Sequence, residues 1–302
     1  MKNVLILLLK NLTNFLIKIR LLNPLVIVRM DGGIASQMHF YLVGMLFKEK
    51  GYKVKFDLSW FQSDGHDLEG KHVRNFDLLK AFPYLEFKEI SWVESFLFAG
   101  FKYVNNNKGL DFLEKKPPIW LLSYYPYTNY MLDVMMQNYF KITPSCLDEH
   151  NLRFYQLIKE KKCPVAVHVR RGDLSSFNPA YGEPVPNNYF SNAIAYIIGQ
   201  NKDPFFFFFS DETQWVRDVL IPVLGLPNNF IIVEGNGSDK GYMDMFLIAA
   251  CKYQITSKGS LGKYGGFIHP DNDNKIIIYD DKIEKDKWGG LSDRLIFISA
   301  KR

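Results

Sequence analysis

Cysteine is scarce in this chain: Cys146, Cys163 and Cys251 are the only three in 302 residues. They form no CxxC pair and no ligand spacing with the six histidines, which excludes a disulfide framework and a zinc site. A sparse, odd set of thiols is expected to be free, mostly buried and in a reducing cytoplasm. Long apolar runs are missing too. The run Val4 to Leu9 is six residues long, and charges interrupt the chain soon after it, whereas crossing a bilayer takes about 20 apolar residues. No small-residue cleavage site comes after it, so no secretory signal is expected. There is no basic–aromatic repeat, and the net charge is only +5. That argues against nucleic acid and suits an anionic substrate or an anionic membrane surface. No Asp-x-Asp follows a strand-like run; Asp271-Asn-Asp273 comes after Pro270 and reads as a turn. Internal repeats and low-complexity linkers are absent. The sequons Asn11-Leu-Thr13 and Asn236-Gly-Ser238 carry no weight in a cytoplasmic protein.

What is present is apolar and aromatic. Hydrophobic residues make up 47% and aromatic ones 16%, with 25 Phe, so many rings must be core. The length suits one large domain or two of about 150 residues. Leu25–Val28 reads as a strand, Asp31-Gly-Gly33 as a turn, and 36–50 as a helix with Ser36 as N-cap. Tyr52–Phe56 alternates like a second strand, and Ile119–Leu122 like a third, with a helix from Tyr130 to Tyr139. Residues 58–115 show little period. In the second half, strand-like runs at 164–169, 205–209, 230–234, 253–256 and 275–279 alternate with helical stretches near 188–199, 213–221, 241–251 and 260–268. Buried strands alternating with helices argue a parallel, doubly wound sheet. The Phe205–Phe209 run is then a core strand rather than an aromatic binding box. Pro144, Asp148 and Glu149 place a domain boundary near residue 145, giving 1–24 as an N-terminal amphipathic segment, 25–145 as one domain and 146–302 as another.

One strand-like run ends in chemistry. Val165-Ala-Val-His168-Val-Arg170-Arg171-Gly172-Asp173 closes on an imidazole, two guanidiniums and a carboxylate. A strand needs no charge at its tip, and the rigid five-donor fork of arginine suits phosphate. The bland reading is an exposed arginine pair bridged to Asp173.

With the rest of the chain in view, this segment resembles the His-x-Arg-Arg-x-Asp signature of glycosyltransferase family 11, the bacterial α1,2-fucosyltransferases that build O-antigens and related glycans. Arg29-Met-Asp-Gly32-Gly33-Ile-Ala-Ser36-Gln37-Met38-His-Phe40-Tyr41 is similar to the family's Gly-Gly-Leu-Gly-Asn-Gln-Met-Phe-Gln-Tyr. Phe209-Ser210-Asp211-Glu212 resembles its Phe-Ser-Asp-Asp, and the stretch from Met243-Asp244 to Ser257-Lys-Gly-Ser260 its Asp-Met-x-Leu-Met-Ser-x-Cys-Lys segment. The likeness runs from about residue 25 to 280. Two departures stand out: Gly-Asn-Gln is Ala35-Ser36-Gln37, and Ser-Phe-Ser-Trp-Trp-Gly-Ala is Ser260-Leu-Gly-Lys-Tyr264-Gly265-Gly266, with both tryptophans gone.

The resemblance implies a GT-B-like α/β fold, two Rossmann-like domains facing a central cleft. It implies an inverting transfer of L-fucose from GDP-β-L-fucose to a glycan hydroxyl, in O-antigen or surface polysaccharide synthesis, with no metal and no resident cofactor. The missing tryptophans keep another GDP-6-deoxyhexose, such as GDP-colitose, as an alternative, and the missing Asn a non-catalytic nucleotide-sugar binding module. Arginine can neutralise a leaving diphosphate as a metal would. Arg170 is therefore expected to be catalytic together with Asp173, Arg171 sharing the role or buttressing the loop. His168, Ser210, Asp211, Asp244, Ser257, Gly259 and Ser260 are expected on the donor side, with Asp244 at the guanine or ribose. An Asp in the first turn of a helix is equally favoured by the helix dipole alone. Gly32, Gly33, Ser36 and Gln37 form the expected acceptor-side loop. The general base stays open among Asp31, His39, Asp57, Asp64 and His66. The acceptor is expected to be a glycan, lipid-linked by analogy, met at the inner face of the bacterial plasma membrane. Residues 1–22, with Lys2, Lys10, Lys18 and Arg20, either lie in an anionic interface or pack on their own domain.

Overall fold

The computed structural model describes residues 2–63, 65–66, 73–106, 109–122, 124–237, 239–271 and 273–301. Asp64, Ser238 and the side chain of Lys2 lie outside the described residues. The chain divides into two compact units, the first made of most of the chain up to Pro126, the second of Tyr127–Arg302 together with Leu79–Pro83.

The first unit opens with α1 (Lys2–Lys18) and β1 (Leu25–Arg29), followed by α2 (Ile34–Glu49) and β2 (Lys53–Asp57). The short helix α3 (Trp92–Leu97) and strands β3 (Lys102–Tyr103) and β4 (Ile119–Leu121) come later in it. The strands pair in the order β2-β1-β4-β3, all parallel. Leu25 to Val28 are buried on both faces, as a run of unbroken β-branched and apolar residues requires. The start of α2 differs from the expectation: Gly33 is its N-cap residue, and Ser36 lies inside the first turn. Helix α1 is not a separate segment. Leu9 and Thr13 are buried, Thr13 Oγ1 donates to Leu97 O at 2.7 Å, and Ile17 joins a cluster with Leu25, Phe98 and Trp120.

The second unit carries α4 (Glu149–Glu160), β5 (Pro164–Val169), α5 (Asn187–Gln200), β6 (Phe205–Ser210) and β7 (Phe230–Val233). Helix α6 (Gly241–Ala250), β8 (Tyr253–Thr256), α7 (Leu261–Phe267), β9 (Lys275–Tyr279), α8 (Lys282–Trp288) and β10 (Leu295–Ile298) follow. Its six parallel strands run β10-β9-β8-β5-β6-β7. Phe206 to Phe209 are buried, as expected of a core strand. Each such ring contributes about 1.5–3 kcal/mol of burial.

The division falls upstream of the expected boundary because the helical segment after Tyr127 packs on the second unit. Tyr127 stacks on Trp288 at 4.5 Å, Asn129 Nδ2 donates to Gly290 O at 3.2 Å, and Gln137 Nε2 to His269 O at 2.9 Å. Helices α4 and α8 and strand β10 are elements that the sequence pattern left unassigned.

Candidate active site

In the six-stranded sheet the chain leaves β5 toward β6 and β7 on one side and returns to β8, β9 and β10 on the other. The carboxyl ends of β5 and β8 therefore form the sheet's topological switch point, where ligands of doubly wound sheets bind. Register brings the loops together: His168 pairs with Thr256 and Val169 with Ser210, so Arg170, Asp211 and Ser257 leave the sheet at one edge.

Arg170 is the centre of this edge. Its Nε donates to Asp173 Oδ1 at 2.8 Å and its Nη2 to Asp173 Oδ2, a bidentate pair closed by the 3-10 turn Gly172–Leu174. Its backbone N–H donates to Ser257 Oγ at 2.8 Å, which ties the β5 loop to the β8 loop across the switch point. Burial works against the guanidinium charge, but the bond and charge of Asp173 outweigh it and raise the pKa. Gly259 lies against the same guanidinium at φ +93°, and a Cβ there would stand 2.9 Å from Arg170 Nη1. Only glycine meets both demands.

His168 is buried beneath this loop, and its Nδ1 has no hydrogen-bond partner among the described residues. Burial, then the charges of Arg170 and Lys263, hold its pKa down at about 3. It is a neutral ring under a cationic layer. Arg171 points elsewhere: its guanidinium stacks 3.8 Å over Trp215 and its Nε reaches Glu212 at 3.2 Å. Asp211 Oδ1 accepts the Arg171 N–H at 2.8 Å, and Ser210 Oγ accepts the Glu212 N–H at 3.0 Å. Of the two roles open to Arg171, these contacts are those of a buttress.

The Ser257–Ser260 loop is held by two lysines. Lys263 Nζ donates to the carbonyls of Ser257 and Gly259 at 2.9 Å each and pairs with Glu284 at 2.8 Å, both side chains 1% exposed or less. Burial presses the ammonium toward neutrality and Glu284 opposes it. Lys258 Nζ pairs with Asp281 at 2.6 Å and donates to the carbonyls of Tyr181 and Glu183 at 2.7 Å. Ser257 is itself buried, while Ser260 Oγ meets Tyr127 Oη at 3.3 Å. Where the family pattern has its two tryptophans, Lys263 and Tyr264 pack against an indole from α8: Trp288 is fully buried, 5.5 Å from Lys263 Nζ.

Asp244 stands in the first turn of α6, where its Oδ1 accepts from Asn236 Nδ2 at 2.7 Å. Asn236 in turn exchanges two side-chain bonds with Asn151, at 2.7 and 2.9 Å, and Asn151 bonds to Asp148. Burial raises the Asp244 pKa to about 7, against the opposing bond from Asn236. An Asp placed only for the helix dipole would have no such network.

The residues expected on the acceptor side and as general base divide sharply. Asp31, Gly32 and Gly33 follow β1 at the carboxyl edge of the four-stranded sheet. Burial raises the Asp31 carboxyl, against the pull of Arg29 at 3.4 Å. Gly32 has φ +71°, and a Cβ on it would touch Ser36 at 2.9 Å. Gln37 is fully buried, donating to Gly32 O and Asn75 O and accepting from the Asp77 and Leu78 N–H groups, so it stitches these loops together. His39 is 0% exposed, bonded through Nε2 to Tyr125 O at 2.8 Å and stacked on Tyr124, the placement of a structural histidine. Asp57 is also buried, where it accepts the Ser59 N–H. His66 is exposed and forms an isolated bridge with Val73.

Sequence reasoning missed Tyr127, Tyr181, Lys258, Lys263, Glu284 and Lys287. Lys258 and Lys263 lay within a family-like stretch and differed from its pattern, which was the available signal; the others had none. Among the described residues no three His, Cys, Asp or Glu side chains cluster as metal ligands.

An α/β chain that presents arginine, hydroxyls and a tight glycine loop at a sheet switch point has the layout of an anion-binding protein. The model of Glycosyl transferase family 11 matches residues 120–288, more than half of the chain, and the chain belongs to that family. It is 28% identical over 138 residues to the O-antigen biosynthesis glycosyltransferase WbnK of Escherichia coli, covering 44% of this chain and 42% of that protein. It is likewise 28% identical over 107 residues to an Escherichia coli alpha-1,2-colitosyltransferase, covering 34% and 36%. The matched stretches thus span less than half the length of either relative. Among solved structures, Escherichia coli ADP-heptose LPS heptosyltransferase II aligns over 90% of this chain and 89% of its own at 10% identity, with a TM-score of 0.47.

Proposed function

We propose that the chain is an inverting glycosyltransferase that moves L-fucose from GDP-β-L-fucose to a glycan hydroxyl, in α1,2 linkage, during O-antigen or surface polysaccharide synthesis. The observation that carries this reading is the Arg170–Asp173 pair at the switch point, backed by Gly259 and tied to Ser257. As the sugar leaves, negative charge builds on the diphosphate, and a guanidinium held in place by Asp173 stabilises it without a metal ion. Arg171 and Asp211 brace the loop. Asp244, half protonated near neutral pH, offers guanine or ribose either a donor or an acceptor. Asp31, whose carboxyl is raised by burial, is taken as the general base in preference to the fully buried His39. Colitose is the second sugar to consider, because one relative is a colitosyltransferase and neither family tryptophan is present.

The acceptor is a lipid-linked glycan met at a membrane surface. No helix among the described residues is long and apolar enough to cross a membrane. Helix α1, however, leaves Val4, Leu5, Leu8, Leu12 and Phe15 exposed, each by 46–62%. The first 30 residues contain no Asp or Glu. An apolar stripe with only basic charge around it suits an anionic lipid interface.

The deciding experiment offers GDP-fucose, GDP-colitose and UDP-galactose, with an oligosaccharide glycolipid as acceptor, in the presence and absence of EDTA. Turnover with GDP-fucose that survives EDTA is the expected result. Turnover with GDP-colitose alone would move the assignment to the second sugar. Binding without turnover would leave a nucleotide-sugar binding module. Activity abolished by EDTA and restored by Mg²⁺ or Mn²⁺ would overturn the arginine mechanism.

A further inference from the structure

The loop between β5 and α5 is built more firmly than a surface loop requires. It turns back on itself where the Asn178 N–H donates to Gly182 O at 3.0 Å and the Gly182 N–H donates to Asn178 O at 2.6 Å. Gly182 takes φ +73°, and a Cβ on it would stand 2.8 Å from Ile283 Cδ1, so the turn lies against the first turn of α8. Lys258 clamps it from the β8 loop. Its Nζ donates to the carbonyls of Tyr181 and Glu183 and pairs with Asp281, the N-cap residue of α8, and its side chain is 3% exposed. An ammonium is buried at great cost unless it is paired and hydrogen-bonded, and here it is both. The outcome is a fixed place for Tyr181, which is itself only partly buried. Its ring faces Arg170, with Cζ of the guanidinium 5.6 Å from the ring centroid. Asp173 takes one edge of the fork, Nε and Nη2, and Nη1 lies beside Gly259. Lys287 Nζ also lies 5.6 Å from the Tyr181 ring. A ring face attracts a cation and keeps water from it, and the attraction grows where solvent is excluded.

We propose that Tyr181 is a positioning residue for the transfer, its ring held by the Lys258–Asp281 clamp so that Arg170 keeps the orientation in which it meets the leaving diphosphate. This rests on reading Arg170 as the leaving-group residue, and it makes the β5–α5 loop part of the site. The ring acts through Arg170 and not on the sugar or the nucleotide directly. The contact between Arg170 and the diphosphate strengthens as the sugar leaves, so an orientation lost there weakens the transition state more than the bound ground state. Loss of the ring should therefore show in kcat and leave nucleotide affinity almost unchanged. The phenol hydroxyl has no part in the role, because the cation meets the face of the ring.

The test compares Tyr181→Leu, which keeps apolar bulk without an aromatic face, with Tyr181→Phe, which keeps the ring. Both are made in the full chain and assayed on whichever GDP-sugar the wild type turns over, with Kd for GDP measured by calorimetry. Tyr181→Leu should lose on the order of 10-fold in kcat, the size of a largely desolvated cation–ring contact, while its Kd for GDP moves by less than about twofold. Tyr181→Phe should restore most of the lost kcat. A side chain that only packed the loop would be replaced as well by Leu as by Phe. In an Arg170→Ala background, read in single turnover with enzyme in excess, Tyr181→Leu should cost nothing further. An undiminished cost there would assign the ring to Lys287 and overturn the proposal. So would equal losses in Tyr181→Phe and Tyr181→Leu, a loss in Kd as large as that in kcat, or wild-type kcat in Tyr181→Leu. A wild type that turns over no GDP-sugar removes the transferase reading itself, which none of those results would do.

Discussion

Arg170 combines two properties: it is well anchored, and it stands at the sheet's switch point, where doubly wound folds receive ligands. Asp173 holds its fork and Ser257 its backbone, so the guanidinium is preorganised for an anion. Replacing it with Ala should lower turnover on GDP-fucose by about 10²–10³, the range for losing one preorganised charge-stabilising donor. Arg170→Lys should also be severely impaired, since it keeps the charge but not the fork. Arg170→Ala also leaves the largely buried Asp173 without its partner and should lower the melting temperature, so turnover is compared where both proteins are folded; near-normal turnover by Arg170→Ala would remove it from the mechanism. His168 gives a second prediction, in stability. Its pKa is about 3 in the fold and near 6.5 when unfolded, so below pH 6.5 the unfolded chain binds the extra proton. The stability that His168 contributes is complete above pH 6.5 and falls by up to about 1.4 kcal/mol per pH unit as the pH drops toward 3. Chemical denaturation of His168→Asn at pH 7 and pH 5 should show a smaller acid loss than wild type. An equal loss would mean that the ring is not held neutral. Asp244, raised to about 7, works in the opposite sense, since the folded state holds its proton between pH 4 and 7; the comparison must therefore be made with Asp244 intact in both proteins.

At the scale of elements, α7 and α8 act as one support for the Ser257–Ser260 loop. The pair between them, Lys263 and Glu284, is buried, with the ammonium also bonded to two loop carbonyls, so removing one partner would strand a charge at about 3–5 kcal/mol. Helix α1 is two-sided. Leu9, Thr13 and Ile17 hold it on the first unit, while Leu8 and Phe15 face out, 60% and 57% exposed. Deleting it would uncover core, so the informative change is Leu8→Glu with Phe15→Glu. Co-sedimentation with anionic vesicles should fall sharply in that variant while its melting temperature holds. Undiminished sedimentation would sink the membrane reading of this helix.

For the molecule as a whole, a nucleotide that binds only the folded state raises its stability by mass action, about 2.7 kcal/mol at a hundred times Kd. With Asp244 and its Asn236–Asn151 network presented beside the β7 loop, GDP should raise the melting temperature more than UDP or ADP. Equal shifts from all three would count against a guanine site. Any effect should appear first in the unit containing Tyr127–Arg302, which holds every residue proposed to meet the donor.

Local pattern was enough to reveal most of the strands and helices, though not β3 or β10. Runs such as Val165–Val169 and Phe205–Phe209 bury both faces, and only a parallel sheet flanked by helices accommodates several of them in alternation. The Arg170–Asp173 pair was legible for a similar reason: two residues three positions apart on a tight turn are brought together by the turn itself. Other features depended on residues distant in the chain. Whether Gln37 and His39 faced a substrate or the core was decided by Asn75, Asp77 and Tyr125, whose arrival no local spacing encodes. The end of the first unit was decided by Trp288 and His269, which draw Tyr127 and Gln137 across to the second. Lys263 looked like a departure from a family pattern until Glu284 supplied its counter-charge, and Lys287 carried no signal before Tyr127 and Tyr181 enclosed it. Periodicity records which face of an element is buried. The identity of the group it is buried against is set by packing, so it was the tertiary structure that assembled the cationic floor of the site.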